Sequence, residues 1–280
     1  MGMKLAGKLG FVGGGRMAEA MIKGILRAEL ISAGDILVAD PDESRRTLLR
    51  KQYGVTVHPE AEAVWPACQT VVLAVKPQIM GKLLERSRGQ VTGQHLIISI
   101  AAGIPLSLIE GTLAGSGCRA IRVMPNTPAI VQESASALSG GGQATPEDLA
   151  TAKAIFDSFG TSVILDERAL DAVTGLSGSG PAYVFSFIEA LTDAGVKTGL
   201  SRPVAEKLVL QTVLGSVKLA METGEHPAQL RAMVTSPGGT TIAGLHVMAR
   251  AGFAGIIMDA VEAAANRSRE LGAEQKASGR

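Results

Sequence analysis

Apolar residues recur along this chain in two rhythms, and the change between them divides it. In the first part, short apolar runs alternate with stretches of helical spacing. Leu9 to Val12 predicts a strand, after which Met17, Met21, Ile22, Ile25 and Leu26 predict a helix reaching about Ala28. The pattern continues with strand Ile36–Ala39, helix Glu43–Gln52, strand Val55–Val57, a short helix around Glu60–Val64, and strand Thr70–Ala74. That last run is almost wholly apolar, as a strand buried on both faces requires. Helix Ile79–Arg88, strand Leu96–Ser99, helix Pro105–Leu113 and strand Ala120–Met124 follow. Two further strands, Ser134–Ser139 and Thr161–Leu165, flank helix Pro146–Phe159. Strands and helices in strict alternation predict a doubly wound parallel sheet.

From about Ala169 the chain reads as helices only, punctuated by glycine and proline. Tyr183–Ala194, Val204–Met221 and Phe253–Ala265 are rich in small residues and apolar on more than one face. Helices of that kind must be buried, and a helical domain of roughly 110 residues has little interior of its own, so a partner subunit is the expected source of burial. The expected fold class is therefore α/β: an N-terminal doubly wound parallel sheet in residues 1–166, then an all-helical dimerisation domain in residues 167–280.

Composition narrows the function. Hydrophobic residues are 46% of the chain and charged residues 19%, which excludes disorder. A net charge of +1 and 3% aromatic residues leave neither an electrostatic nor a stacking surface for nucleic acid. Cys68 and Cys118 lie far apart, and the four histidines form no ligand-spaced pair, so the expectation is no metal and a reduced, cytoplasmic setting. No apolar run approaches the ~18 residues of a membrane span, so no membrane association is expected.

The candidate chemistry begins at the first strand–helix turn. Gly13, Gly15 and Ala18 take the three small positions of the G-x-G-x-x-G/A dinucleotide fingerprint, between a strand and a helix as that motif requires. The expectation is the phosphate loop of a Rossmann domain, against the plainer reading of an ordinary glycine-rich turn between a strand and a helix. Asp40, at the end of the second strand, stands where such a domain grips the adenosine ribose, although farther from Gly13 than the usual twenty or so residues. It reads equally as the N-cap of the next helix, since Pro41 and Glu43 follow. Arg45 and Arg46 are near enough to receive a 2′-phosphate, so the choice between NADH and NADPH stays open. Lys76 and Asn126, beside prolines at the ends of other strands, are further cleft candidates, against the plainer readings of a solvated lysine and a turn former. In the second part, Gly175–Pro181 fails as a nucleophile elbow, because Ser179 stands where G-x-S-x-G needs its last glycine. Thr235-Ser-Pro-Gly-Gly-Thr-Thr241 precedes a helical pattern and would offer bare N–H groups to a carboxylate; the alternative is an ordinary loop capped by Thr240 or Thr241.

Taken in order, these motifs resemble the pyrroline-5-carboxylate reductase family over nearly the whole chain. The resemblance rests on Gly13-x-Gly15-x-Met17-Ala18, Ala74-Val-Lys-Pro77, Ser99-Ile-Ala-Ala-Gly103, Arg122-Val-Met-Pro-Asn-Thr-Pro128, Gly178-Ser-Gly-Pro-Ala-Tyr183, Glu222-Thr-Gly-Glu-His-Pro227 and Ser236-Pro-Gly-Gly-Thr-Thr241. It implies reduction of Δ1-pyrroline-5-carboxylate to L-proline with NADPH or NADH, the last step of proline biosynthesis. It also implies a homodimer through the helical domain, within a larger homo-oligomer. By resemblance, Val12, Gly13, Gly14, Gly15, Arg16, Met17, Asp40, Ala74, Val75, Lys76, Pro77, Ala101, Ala102 and Asn126 line the cofactor. Ser236, Gly238, Gly239, Thr240 and Thr241 hold substrate, with the Thr241 hydroxyl nearest the ring nitrogen as the catalytic contact, and Glu167 lies on the substrate side.

Two positions depart from the family pattern. Ala61 replaces a usual asparagine near the adenosine ribose, and Asp40 replaces a hydroxyl residue common there. Two other functions were weighed. A β-hydroxyacid dehydrogenase would need a lysine after its glycine-rich stretch, and none follows Gly175–Tyr183 before Lys197. A non-catalytic nicotinamide sensor would be expected to have lost the 236–241 loop, which is intact.

Overall fold

The computed structural model describes residues 4–278. The first part of the chain forms β1 (Leu9–Val12), α1 (Arg16–Arg27), β2 (Ile36–Ala39), α2 (Glu43–Tyr53), β3 (Thr56–His58), β4 (Thr70–Leu73), α3 (Pro77–Ser87), β5 (Leu96–Ser99), α4 (Leu106–Thr112), β6 (Arg119–Met124), β7 (Ser134–Gly140), α5 (Pro146–Asp157) and β8 (Gly160–Ile164). The strands make one sheet in the order β3-β2-β1-β4-β5-β6-β7-β8. Neighbours from β3 to β6 pair in parallel. Every residue of β1 and β5 is buried, which is why both read as unbroken apolar runs. Phe11, Val72 and Ile98 face a core shared with Ile22 and Ile25 of α1 and Phe156 of α5. Val71, Leu73 and Ile97 face the other way, onto Met80 and Leu84 of α3 and Ile109 of α4.

The all-parallel expectation fails at one pair: β7 runs antiparallel to β6. Residues 125–133, part of them wound into a 3-10 turn at Thr127–Val131, are the whole connection between them. A parallel return needs a crossover of about a dozen residues or more, so the chain turns back instead. After the full crossover through α5, β8 lies parallel to β7. Elsewhere the differences are of one or two residues, and the short helix expected at 60–64 is a 3-10 turn, Ala61–Ala63.

The later elements are α6 (Leu170–Val173), a π-helical turn (Thr174–Gly178), α7 (Gly180–Lys197), α8 (Arg202–Thr223), α9 (Pro227–Met233), α10 (Thr240–Arg250) and α11 (Phe253–Ser278). They fall into two compact units that differ from a division at 166/167. The sheet unit extends to Ser179 and includes the chain from Glu262, while Gly180–Val261 forms the second unit. Leu170 is fully buried in the sheet unit, and Ser268 of α11 donates to Asp171 Oδ1 at 2.7 Å. Helical periodicity carries no sign of that return.

Within the second unit, α7 and α8 approach closely at Gly195, where a Cβ would lie 3.0 Å from Ala205 Cβ. Thr192, Ala205 and Val209 are buried there. Most large apolar side chains of this unit are uncovered, among them Phe185 (65% exposed), Met221 (74%) and Met258 (69%). Helices apolar all round are thus present as expected, but this chain alone does not bury them. Among the described residues no single helix is long and apolar enough to cross a membrane.

Candidate active site

The strand order reverses about β1, with β2 on one side and β4 on the other. Open α/β sheets bind ligands outside the carboxyl ends of the strands at such a point. The glycine loop occupies it. Gly13 has φ +101°, and a Cβ there would sit 2.5 Å from the Ala74 carbonyl oxygen, so only glycine lets β1 turn beside the end of β4. Backbone bonds hold both neighbours in place: Gly13 N–H donates to Ala39 O and Ala74 N–H to Val12 O, each at 2.8 Å. Gly15 is the N-cap of α1, has no side-chain cap, and has nothing within 4 Å of where its Cβ would be. The first N–H groups of α1, beginning at Arg16 and Met17, therefore face an open approach. That arrangement fits a pyrophosphate, which needs bare donors, a positive dipole end and no side chain in the way. Ala18, the third small position, is completely buried against the sheet.

Asp40 stands beside this loop and is tied to it. Gly14 N–H donates to Asp40 Oδ2 at 2.6 Å, and Asp42 N–H donates to Oδ1 at 2.8 Å. The helix-cap alternative for Asp40 does not hold, because the N-cap of α2 is Asp42, whose Oδ1 accepts from Ser44 N–H at 2.8 Å and from its hydroxyl at 2.7 Å. The Ser44 hydroxyl and amide hold the Asp42 carboxyl below the usual carboxylate range. Both nearby arginines are engaged with protein atoms. Arg45 donates from Nε to Gly14 O (2.9 Å) and from Nη2 to Glu19 (2.6 Å), and Arg46 Nη1 donates to the carbonyls of Asp40 and Pro41, both at 2.7 Å.

The other strand ends contribute differently. Lys76 is exposed and forms the N-cap of α3 with no side-chain cap, and Pro77 fixes the first turn after it. Val75 is half-buried, Ala101 buried and Ala102 exposed. Asn126 is buried, and its side chain is already occupied. Its Nδ2 donates to Ser177 O at 3.0 Å and its Oδ1 accepts from Ala135 N–H at 2.9 Å, joining β7 to the π turn. Glu167 is likewise partly spent: its Oε1 accepts from Leu106 N–H at 2.7 Å, the first donor of α4, and from Arg122 at 3.2 Å.

The second unit carries the other candidate loop. Gly238 has φ +66°, Gly239 N–H donates to Ser236 O at 3.1 Å, and a Cβ on Gly239 would strike the Ser236 hydroxyl. Gly239 itself is the N-cap of α10 and no side chain caps that helix, so neither Thr240 nor Thr241 serves as the cap. The amides that open α10 are left for an anion. The loop lies on a groove of about 1090 Å³ bordered by Arg231, Thr235, Ile242 and His246.

Comparison with known proteins bears on both parts of the chain. A family model described as pyrroline-5-carboxylate reductase dimerisation matches residues 167–271, and one described as NADP oxidoreductase, coenzyme F420-dependent, matches residues 8–103. The pyrroline-5-carboxylate reductase of Methanosarcina acetivorans is 44% identical over 95% of this chain and 98% of its own length. The chain belongs to the pyrroline-5-carboxylate reductase family. Its pea relative (Pisum sativum) is 46% identical over 94% of this chain and 95% of its own. Among solved structures, the family member from Coxiella burnetii superposes with a TM-score of 0.90 at 33% identity, covering 95% of this chain and 99% of that one. The Plasmodium falciparum pyrroline carboxylate reductase, solved with NADP bound, gives 0.85 at 35% identity over 97% and 100% of the two chains.

Within this family member, sequence reasoning missed two residues that shape the sheet-side site. Arg45 reads from sequence only as a phosphate receiver, whereas it fastens the glycine loop to α2. Arg122, quoted only within a motif, is buried and draws together Glu167 and, at 3.9 Å, Asp171. Its signal was present: an arginine inside an otherwise apolar strand needs acidic partners.

Proposed function

We propose that this chain reduces Δ1-pyrroline-5-carboxylate to L-proline at the expense of a reduced nicotinamide dinucleotide, completing proline biosynthesis. In this reading residues 1–166 bind the dinucleotide, and residues 167–280 bind substrate and join two copies of the chain in a homodimer, within a larger homo-oligomer of the cytoplasm. The observation that carries it is the pair of glycine-capped, side-chain-free helix N-termini at α1 and α10 in a chain this similar to reductases of that name. One suits a pyrophosphate and the other a carboxylate.

The nicotinamide, when bound, supplies the hydride equivalent; the remaining work falls to the protein. The amides of Gly15, Arg16 and Met17 hold the phosphates, with Val12, Gly13 and Gly14 forming the turn beneath them, and Asp40 holds the adenosine ribose. Ala74, Val75, Lys76, Pro77, Ala101, Ala102 and Asn126 border the nicotinamide half, Asn126 by keeping its strand end in place. Ser236, Gly238 and Thr240 fix the substrate carboxylate through backbone and hydroxyl donors, and Gly239 shapes the turn that presents them. Glu167 acts on the substrate side in this reading, with Oε1 committed to Leu106 and Arg122 and Oε2 left to act. The Thr241 hydroxyl accepts from the ring N–H of the iminium and stays with that nitrogen as its charge is lost. A protonated imine is already electrophilic, so orientation matters more than a strong acid, and the lack of a histidine or lysine in these roles is no obstacle.

The test is to mix the purified chain with Δ1-pyrroline-5-carboxylate and either dinucleotide and quantify L-proline. Thr241→Ala, removing one hydrogen bond to a charged nitrogen, is expected to lower kcat by about ten- to a hundredfold with an unchanged circular dichroism spectrum. Full activity in that variant would remove Thr241 from its role. Tight dinucleotide binding with no proline formed would favour the sensor.

A further inference from the structure

We propose that the Asp40 carboxylate makes NADH, not NADPH, the preferred reductant of this chain. The inference rests on the dinucleotide reading of the glycine loop and adds the choice of adenosine half. An ionised carboxylate accepts at about four lone-pair positions and donates at none. Two of those at Asp40 are used by backbone donors, Gly14 N–H on Oδ2 at 2.6 Å and Asp42 N–H on Oδ1 at 2.8 Å. Those bonds fix the carboxylate against the loop, where a Cβ on Gly14 would come within 3.3 Å of Asp40 Cβ. Two acceptor positions are left. A ribose with free 2′ and 3′ hydroxyls brings two donors to match them. A 2′-phosphate brings only acceptors and roughly two negative charges, so it meets Asp40 with no hydrogen bond to make and like charges opposed.

The cations that would offset this are committed elsewhere. Arg45 spans Gly14 O and Glu19, with only 23% of each side chain of the ion pair exposed, and Glu19 also accepts from Tyr53 at 3.2 Å. Turning Arg45 to a phosphate would strand that carboxylate and free the loop from α2. Arg46 Nη1 is drawn back onto the carbonyls of Asp40 and Pro41. Asp42 and Glu43 add negative charge at the start of α2. A guanidinium fork built for phosphate would keep both arms for it, whereas Arg45 spends Nε and Nη2 on the loop and Glu19, and Arg46 turns Nη1 back onto the backbone.

The experiment measures Kd for NADH and for NADPH by calorimetry without pyrroline substrate, and then the ratio of kcat/KM values with it. The wild-type chain is expected to bind NADH at least tenfold more tightly. Asp40→Ser should shrink the ratio by about tenfold or reverse it. Asp40→Asn, which keeps an acceptor for Gly14 N–H but loses the charge, should shift it in the same direction and guards against a loop that has merely come loose. Preference of the wild type for NADPH, or a ratio unchanged in both variants, would overturn the inference. Because binding is read separately, an NADH preference without turnover would leave this inference standing while removing the proposed reaction, and failure of both dinucleotides to bind would remove both.

Discussion

Gly13 and Gly15 separate what the glycine loop owes to folding from what it owes to its ligand. At Gly13, alanine would have to adopt φ +101° and place its Cβ 2.5 Å from the Ala74 carbonyl oxygen. Neither side can yield cheaply, because Ala74 N–H is bonded to Val12 and Gly13 N–H to Ala39. Left-handed backbone costs an L-residue about 1–2 kcal/mol, and overpacking against fixed atoms adds roughly 1–3 kcal/mol. Gly13→Ala should therefore destabilise the sheet unit by about 2–5 kcal/mol, lowering its melting temperature by roughly 5–15 °C in calorimetry. Gly15 has φ −67° and ψ −175°, which any residue adopts, and open space at its Cβ. Gly15→Ala should cost only the preference for glycine over alanine at an N-cap, up to about 1 kcal/mol, and lower the melting temperature by no more than about 3 °C. The added methyl group does, however, enter the approach to the first amides of α1. A tenfold or greater loss of NADH affinity, about 1.4 kcal/mol, is expected by titration calorimetry. Unchanged affinity in a normally folded Gly15→Ala protein would refute the claim that the dinucleotide lies against this backbone. A normal melting temperature for Gly13→Ala would refute the packing argument.

Other outcomes follow from single residues. Asp42→Ala removes the N-cap of α2 and should cost about 1 kcal/mol, read as a small fall in melting temperature. Burial alone would raise the Asp157 pKa, but bonds from Lys153 and Ser162 outweigh it and hold the carboxyl below its ordinary value. Its contribution is therefore fully present above the unfolded value of ~3.9 and lost as pH falls from there through the lower folded value. Asp157→Asn should accordingly lose less melting temperature than wild type on going from neutral to strongly acidic buffer. Burial pushes the Cys68 thiol up to about 11, and Cys118 is buried too. Neither should react with a thiol reagent in the native protein at mildly alkaline pH, and both should react after denaturation; rapid native labelling would contradict their placement.

What could be read from the sequence was whatever is decided locally. The turn from β1 into α1 needs small residues at Gly13 and Ala18, the ligand's approach needs one at Gly15, and each position has a one-residue cause. The strands buried on both faces announced themselves in the same way. The direction of β7 was knowable but was missed, because it follows from the shortness of residues 125–133 and not from any apolar pattern. The Arg122–Glu167 contact joins residues 45 apart in sequence, and Ser268 reaches Asp171 across 97. Neither pairing leaves a periodic trace, so the return of α11 to the sheet unit lay beyond pattern reading. A carboxylate after a strand suits a helix cap and a ribose contact alike, so the sequence leaves Asp40 between them; the position of Asp42 as the true cap removes the first.

The most direct test of the proposed reaction is to follow the transferred atom. The chain would be incubated with Δ1-pyrroline-5-carboxylate and NADH fully deuterated at nicotinamide C4, and the L-proline formed would be analysed by mass spectrometry and NMR. Direct transfer between dinucleotide and imine predicts proline carrying deuterium at the ring carbon next to nitrogen, formed in step with loss of the reduced nicotinamide. Unlabelled proline, or no proline despite bound NADH, would contradict the account.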